Sequence, residues 1–118
     1  MENCIFCRIV RKEIPADIVY EDEEVLAFWD ANPKAPVHIL LIPKKHLSGL
    51  SGMKEDDIPL FGKINYLAAQ IAKEQDISES GYRIVSNCGK DSGQEVFHLH
   101  FHLLGGGFLG SFWGERLT

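Results

Sequence analysis

Three histidines alternate with apolar residues near the end of the chain, at His98, His100 and His102. Side chains two residues apart on a β-strand share a face and lie roughly 7 Å apart, so the pattern predicts three imidazoles on one face. Imidazoles this close share one electrostatic environment and cannot all hold a proton near neutral pH. We therefore expect at least one of them to be neutral and nucleophilic. The apolar residues of the same segment are predicted to face the core: Leu99, Phe101 and Leu103.

The loop before these histidines, over positions 88–95, is rich in glycine and polar residues. Gly89 and Gly93 allow tight turns, and Ser92 and Gln94 add polar side chains. Backbone N–H groups exposed in such a turn can bind an anion. The combination favours a phosphate-handling site, and a plain surface strand or a metal-binding strand is the alternative interpretation.

Two cysteines at the start of the chain, Cys4 and Cys7, have the spacing of a metal-binding pair. The residue after Cys7 is Arg8, where haem attachment needs a histidine, and no βαβ pattern of a thioredoxin-like protein surrounds the pair. We expect no signal peptide before them, and on that expectation a disulfide framework is disfavoured. The alternatives are two zinc ligands or two reduced thiols.

Hydrophobic periodicity predicts the elements that position these residues. Ile5, Phe6, Ile9 and Val10 indicate a short N-terminal helix, which Ile14-Pro15 ends. A long helix over 54–76 shows an apolar face formed by Ile58, Phe61, Ile64, Leu67, Ala68 and Ile71. Five strands are predicted over 18–21, 25–30, 38–43, 82–87 and 96–104, the first three as an antiparallel meander. The expected fold class is α+β.

Composition sets limits on the partners of this chain. With 118 residues and 25% charged residues, it is expected to form one domain over 1–118. The formal net charge of −5 gives no basic patch for a long nucleic acid. No apolar run approaches the roughly 18 residues of a membrane span, and no basic leader precedes one. We expect a cytoplasmic protein without a membrane or long nucleic acid partner.

The motif at 98–104 resembles the H-φ-H-φ-H-φ-φ signature of the histidine-triad family, where φ is an apolar residue. The resemblance extends in family order from residue 4 to about 106 and is closest to the histidine-triad nucleotide-binding (HINT) branch. The segments that carry it are Cys4-Ile5-Phe6-Cys7-Arg8-Ile9, Glu13-Ile14-Pro15-Ala16, Ala27-Phe28-Trp29-Asp30, Ala35-Pro36-Val37-His38, Ile42-Pro43-Lys44-Lys45-His46, Gly81-Tyr82-Arg83 and Gly93-Gln94-Glu95-Val96-Phe97.

This resemblance implies a homodimer whose two five-stranded sheets join, and a hydrolase for purine nucleoside phosphoramidates such as adenosine 5′-monophosphoramidate and aminoacyl adenylates. It implies that His100 attacks the α-phosphorus and forms a covalent nucleotidyl-histidine. His102 would contact the phosphate or assist the leaving group, and His38 would orient a reacting imidazole.

The same resemblance assigns residues to the nucleotide and to zinc. Asp30 would accept hydrogen bonds from the ribose hydroxyls. The phosphate end would be lined by Asn87, Gly93, Gln94, Glu95 and Val96. The base slot would be formed by Ile5, Phe6, Ile9, Phe28 and Trp29, although apolar residues at such places are more often core. A structural zinc would be held by Cys4, Cys7, His46 and His98.

Two features depart from the usual family pattern. Glu95 stands where many members have serine, and its carboxylate would repel an anion. The C-terminal tail over 105–118 does not match the usual ending, and Trp113 is a candidate specificity element in it.

Three other functions stay open at this point. One is a dinucleoside polyphosphate hydrolase or nucleotidyl transferase with the same nucleophile. Another is a nucleotide-binding regulatory module with vestigial hydrolysis. The third is a metal-sequestering protein with metal on the histidine face itself.

Overall fold

A computed structural model of the protein describes residues 3–110. All neighbouring strands pair antiparallel, in one five-stranded sheet. The predicted α+β class, with one long and one short helix, is confirmed. The elements in chain order are α1 (Ile5–Val10), β1 (Ile18–Glu21), β2 (Val25–Trp29), β3 (Val37–Pro43), α2 (Ile58–Glu74), β4 (Tyr82–Val85) and β5 (Phe101–Gly105). The strand order in the sheet is β1-β2-β3-β5-β4.

The first three strands form the predicted meander because short polar turns join them. Between β1 and β2, the Asp22 carboxylate accepts hydrogen bonds from the N–H groups of Glu24 and Val25, at 2.8 and 2.9 Å. Such a side-chain bond replaces a backbone turn and fixes the reversal of the chain. After α2, β5 inserts beside β3 in the middle of the sheet, which leaves β1 and β4 at its edges.

The sheet is covered on both faces, and alternate residues of β2 and β3 supply the two cores. On one face, Ala27, Ile39 and Leu41 pack with Ile64 and Ile71 of α2. On the other face lies the smaller cluster, which includes α1, and its members are Phe6, Ile9, Leu26, Phe28, Leu40 and Ile42. The site described below lies on this second face.

The long helix begins later than its apolar pattern predicted. Residues Glu55–Asp57 form a 3-10 turn, and α2 starts at Ile58 with Pro59 in its first turn, where proline fits best. Ile58 and Phe61 were expected on the buried face, yet they are 64% and 41% exposed. Leu60 and Ala72 take buried places instead. Among residues 3–110, no helix has the length and apolar character needed to cross a membrane.

The last strand is shorter than predicted, because residues 96–100 lie outside it and only Phe101–Gly105 form β5. The β3–β5 register pairs Leu41 with Phe101, so two residues further along β3 the register would place Pro43 opposite Leu99. Proline has no N–H to donate to a ladder. The Leu99 N–H donates to the Leu47 carbonyl instead, at 2.6 Å. His98 and His100 are therefore positioned by a loop, and only His102 lies in the strand.

Other predicted strand boundaries differ from the observed ones by one or two residues. The strands predicted to end at Asp30 and Asn87 end at Trp29 and Val85. The segment predicted as a tail starts inside the sheet, because Gly105 is the last residue of β5. Trp113 lies outside the described residues.

Candidate active site

A cavity of about 940 Å³ opens on the α1 face of the sheet. Its walls come from α1, the end of β2, the first half of β3, the strands β4 and β5, and the loop that precedes β5. The residues predicted for the nucleotide and for chemistry converge here, apart from Gln94, and they are Ile5, Phe6, Ile9, Phe28, Trp29, Asp30, His38, Asn87, Gly93, Glu95, Val96, His100 and His102.

The ring orientation of His100 is set by its backbone neighbour. His100 Nδ1 lies 2.7 Å from the carbonyl oxygen of His98. A carbonyl can only accept, so Nδ1 carries the proton and donates, and Nε2 of the neutral ring holds an unprotonated lone pair. The Phe6 ring lies edge-on to the His100 ring, with centroids 5.1 Å apart. The loop thus presents a buried imidazole in the tautomer that a nucleophile needs.

His38 and His102 form a hydrogen-bonded pair with a fixed direction. The Lys34 N–H donates to His38 Nδ1 at 3.0 Å, so the neutral His38 ring carries its proton on Nε2. His38 Nε2 lies 2.9 Å from His102 Nδ1, which therefore accepts. The neutral His102 ring then carries its proton on Nε2, and this side chain lines the cavity. Asp30 Oδ2 lies 3.4 Å from the same His38 Nε2.

Burial keeps several of these imidazoles neutral. It lowers the pKa of His102 to about 4, and the nearby rings of His100 and His38 lower it further. Burial also lowers the pKa of His38, although the Asp30 carboxylate opposes that shift. The pKa of His98 falls to about 4, again mainly through burial. These directions agree with the expectation that neighbouring histidines cannot all be protonated near neutral pH.

Gln94 does not take the place predicted for it at the phosphate end. Its Oε1 accepts from the Gly89 N–H at 2.7 Å. Its Nε2 donates to the carbonyl oxygens of Ser48 and Val96, at 2.7 and 3.0 Å. The side-chain amide is buried and closes the loop upon itself, so Gln94 holds the loop in shape and its side chain lies outside the cavity lining.

The cavity also has charged residues that sequence reasoning missed. Lys34 and Arg83 both line it, and Arg83 donates to the Gly110 carbonyl oxygen. The sequence signal for Lys34 was its place four residues before His38, in a loop that contains prolines. Glu95 is exposed in the cavity, and within residues 3–110 no cation or N–H group pairs with its carboxylate.

A second cluster, the Cys2His2 cluster, lies beside the cavity and contains the predicted zinc ligands Cys4, Cys7, His46 and His98. One ligand atom from each residue lies within 4.8 Å of the others. The sulfur-to-Nδ1 distances are 3.4 Å from Cys4 to His98 and 3.2 Å from Cys7 to His46. The two Nδ1 atoms of His46 and His98 lie 3.2 Å apart.

These distances fit a tetrahedral zinc ion. With ordinary zinc bond lengths, sulfur and nitrogen ligands lie about 3.6 Å apart and two nitrogens about 3.3 Å apart. His98 Nε2 lies 2.8 Å from the Pro43 carbonyl oxygen, so its proton is there and Nδ1 is free to ligate. Burial and the adjacent Cys4 sulfur raise the pKa of the Cys7 thiol and so disfavour its thiolate form. A metal cation would offset this effect because it binds and stabilises the thiolate.

A group of three side chains within the cavity, Asp30, His38 and His102, also has the spacing of a metal site. Its tautomers argue against that use. A metal on His38 Nε2 would displace the proton to Nδ1, where it would face the Lys34 N–H at 3.0 Å. These three side chains are therefore better suited to holding and transferring protons than to binding a metal cation.

Comparison with known proteins places this fold and site in a family. The HIT domain matches residues 11–108. The purine nucleoside phosphoramidase of Escherichia coli is 45% identical over 109 residues, which cover 92% of this chain and 92% of that protein. The 14 kDa zinc-binding protein of Zea mays is 51% identical over 104 residues, 86% of this chain and 80% of that protein.

A solved structure gives the same result. The HIT family hydrolase from Clostridium thermocellum superimposes with a TM-score of 0.91 at 47% identity, over 94% of this chain and 96% of that one. The chain therefore belongs to the HIT domain family, in its HINT-type branch, and is a HIT-family hydrolase.

Proposed function

We propose that this hydrolase cleaves purine nucleoside 5′-phosphoramidates, and also aminoacyl adenylates, at the α-phosphorus through a covalent nucleotidyl-histidine on His100. The observation that carries the proposal is the bond from His100 Nδ1 to the His98 carbonyl oxygen, 2.7 Å long. It directs an unprotonated Nε2 away from the backbone in a cavity large enough for a nucleotide. The phosphoramidase activity of the relative from Escherichia coli supports the same substrate class.

In the first step, His100 Nε2 attacks the α-phosphorus. A bond from Nε2 to phosphorus forms, and the bond from phosphorus to the leaving group breaks: P–N in a phosphoramidate and P–O in an aminoacyl adenylate. The positive charge that develops on the imidazole is stabilised by the His98 carbonyl, which keeps its bond to Nδ1–H. The Nε2–H of His102, fixed by His38, donates a hydrogen bond to the phosphate or to the leaving amine. An amine leaving group takes a proton from the surrounding water, and the carboxylate of an aminoacyl adenylate leaves as the anion.

In the second step, water attacks the phosphorus and the bond to His100 Nε2 breaks. The products are a nucleoside monophosphate and the free imidazole, and the proton of the water passes to solvent. One difficult displacement is thereby divided into two easier ones. Asp30 would bind the ribose, and the apolar slot formed with Phe28 and Trp29 would hold the purine.

Zinc is proposed to be a structural ion in the Cys2His2 cluster. Four protein ligands leave no open position, which is typical of structural sites. The zinc would fix α1 against the sheet and would take no part in the displacement. The name of the relative from Zea mays supports zinc at this cluster.

We also propose a homodimer in which two sheets join through β4. This strand is at the edge of the sheet, so among the described residues one row of its N–H and C=O groups has no partner strand. Light scattering coupled to size-exclusion chromatography measures the mass in solution. A mass of one chain would contradict the dimer without affecting the proposed chemistry.

The alternative of a dinucleoside polyphosphate hydrolase is less favoured because the cavity holds the carboxylate of Glu95, which is unpaired among residues 3–110. A leaving group with several phosphates would carry negative charge near this side chain. A steady-state assay of adenosine 5′-monophosphoramidate, compared with diadenosine tetraphosphate, tests the proposal. A higher kcat/KM for the phosphoramidate supports it, whereas turnover of the tetraphosphate alone would contradict it.

A further inference from the structure

The nucleotide cavity and the Cys2His2 cluster share one element, α1. Cys4 caps this helix and Cys7 lies in its first turn, and both contribute sulfur to the cluster. Ile5, Phe6 and Ile9 of the same helix line the cavity. With six residues, α1 is far too short to be stable by itself. Its position therefore depends on the contacts it makes with the rest of the protein.

Phe6 connects the two sites most directly. Its ring is 6% exposed and lies edge-on to two imidazoles, with centroids 5.9 Å from His98 and 5.1 Å from His100. His98 supplies a ligand atom to the cluster, and His100 is the proposed nucleophile. Because protein interiors are close-packed, a shift of α1 changes the packing at both rings together.

Among residues 3–110, the contacts that hold α1 against the rest of the protein include the apolar packing of Phe6 and Ile9 on the sheet and the weak interactions of the Cys4 and Cys7 thiols with imidazoles. Zinc would replace the latter with coordination bonds from Cys4 and Cys7. A nucleotide that enters the cavity then meets a helix that is already ordered, whereas in the metal-free protein it must also order the helix.

We propose that the cluster and the cavity are coupled through α1, so that zinc at Cys4, Cys7, His46 and His98 raises the affinity of the cavity for a purine nucleotide. This inference rests on the proposed function, because it takes AMP as a ligand of the cavity. Thermodynamic linkage makes the effect reciprocal: AMP raises the affinity for zinc by the same factor. The metal centre then tunes nucleotide binding as well as stability.

Calorimetric titration of AMP into zinc-loaded and chelator-stripped wild-type protein measures the first half of the coupling. We expect binding about tenfold tighter in the zinc form, within the usual range for coupled sites. Far-UV circular dichroism establishes that the stripped protein is folded at the temperature used. Competition with a chromophoric chelator, starting from zinc-loaded protein, measures the second half, and saturating AMP should raise the zinc affinity by the same factor.

Two variants of the loop after β3 provide a matched comparison. His46→Ala removes a ligand of the cluster without touching the cavity lining. It should bind AMP as weakly as stripped wild type, whether or not zinc is added. Lys45→Ala is the control, because Lys45 pairs with Asp57 and supplies no atom to the cluster. It should keep the full zinc response.

The outcomes separate the coupling from the proposed function. Equal AMP affinity in zinc-loaded and stripped protein would overturn the coupling and leave the proposed function standing. Absence of AMP binding in both forms would overturn both. A zinc response lost in Lys45→Ala as well as in His46→Ala would also overturn the coupling, because it would indicate a general effect of the loop.

Discussion

The backbone N–H of Lys34 donates to Nδ1 of His38 over 3.0 Å, and this single bond sets the direction of the polar network in the cavity. It places the His38 proton on Nε2, 2.9 Å from His102 Nδ1. The His102 proton is then on Nε2, available to a bound phosphate. A loop residue thus fixes the tautomers of two imidazoles on neighbouring strands.

Replacement of His38 tests this network. His38→Ala removes the donor to His102 Nδ1, and loss of a positioned proton donor lowers kcat by about 100-fold. AMP affinity should change little, so the effect appears in kcat rather than in KM. His38→Gln carries an amide that can donate to His102 and should restore part of the rate. Equal loss in both variants, with weaker AMP binding, would indicate a damaged cavity instead of a lost hydrogen bond.

The pKa of His102, lowered to about 4 by burial, predicts a titration that is easy to distinguish. An ordinary histidine titrates near a pKa of about 6.5. Nitrogen-15 NMR of labelled imidazoles should show His102 neutral down to about pH 5, with titration near 4. His102→Gln identifies the resonance. Titration of His102 near pH 6.5 would contradict the structure.

The lowered pKa of His102 also makes the unfolding free energy depend on pH. The folded protein binds a proton at His102 less readily than the unfolded chain does. The unfolding free energy therefore decreases as pH falls from about 6.5 to about 4, and this contribution is fully present only above about 6.5. Urea denaturation at several pH values measures the slope. His102→Gln should reduce that slope, and an unchanged slope would contradict the assignment.

Metal content and stability should depend on Cys7 and not on Cys88. Elemental analysis should find one zinc per chain in wild type, and little in Cys7→Ser. A ligand that binds only the folded state at 100 times its Kd adds about 2.7 kcal/mol to stability, so Cys7→Ser lowers Tm by roughly 10 °C. Cys88→Ser is the matched control, because Cys88 contacts Ser51 and lies outside the Cys2His2 cluster. A similar loss of zinc in both variants would argue against the cluster.

Glu95 should influence the choice of leaving group. Its carboxylate is unpaired within the described part of the chain and exposed in the cavity. Repulsion between two like charges in a solvent-exposed site is on the order of 1 kcal/mol, or roughly fivefold in rate. Glu95→Gln should thus raise kcat/KM for diadenosine tetraphosphate about fivefold relative to the phosphoramidate. Glu79→Gln, an exposed change outside the cavity lining, should leave the ratio unchanged. An unchanged ratio of the two kcat/KM values in Glu95→Gln would show that Glu95 does not determine the choice of leaving group.

The sequence predicted the fold well because its strands and helices have clear periods and short connections. The prediction failed where contacts between distant parts of the chain determine the local structure. The strand predicted over 96–104 was cut short because its partner, Pro43, cannot donate, a fact that depends on register. The buried face of α2 was misjudged at Ile58 and Phe61, since an apolar side chain does not reveal whether a neighbour covers it.

The candidate site was predicted mainly through the family resemblance. That resemblance named the residues that meet in the cavity and in the Cys2His2 cluster, but it misplaced the side chain of Gln94. Only the folded loop shows that this amide binds Gly89 and Ser48. The roles of the site residues, the single domain over 1–118, the dimer and the cytoplasmic location stay predictions.

The covalent intermediate on His100 is the central claim, and rapid quenching tests it most directly. Wild-type protein is mixed with excess adenosine 5′-monophosphoramidate, denatured at alkaline pH to preserve a bond from phosphorus to histidine, digested and analysed by mass spectrometry. We predict an adenylylated peptide containing His100, and no adduct and no turnover in His100→Ala. Turnover in His100→Ala comparable to wild type, or an adduct on a different residue, would contradict the mechanism.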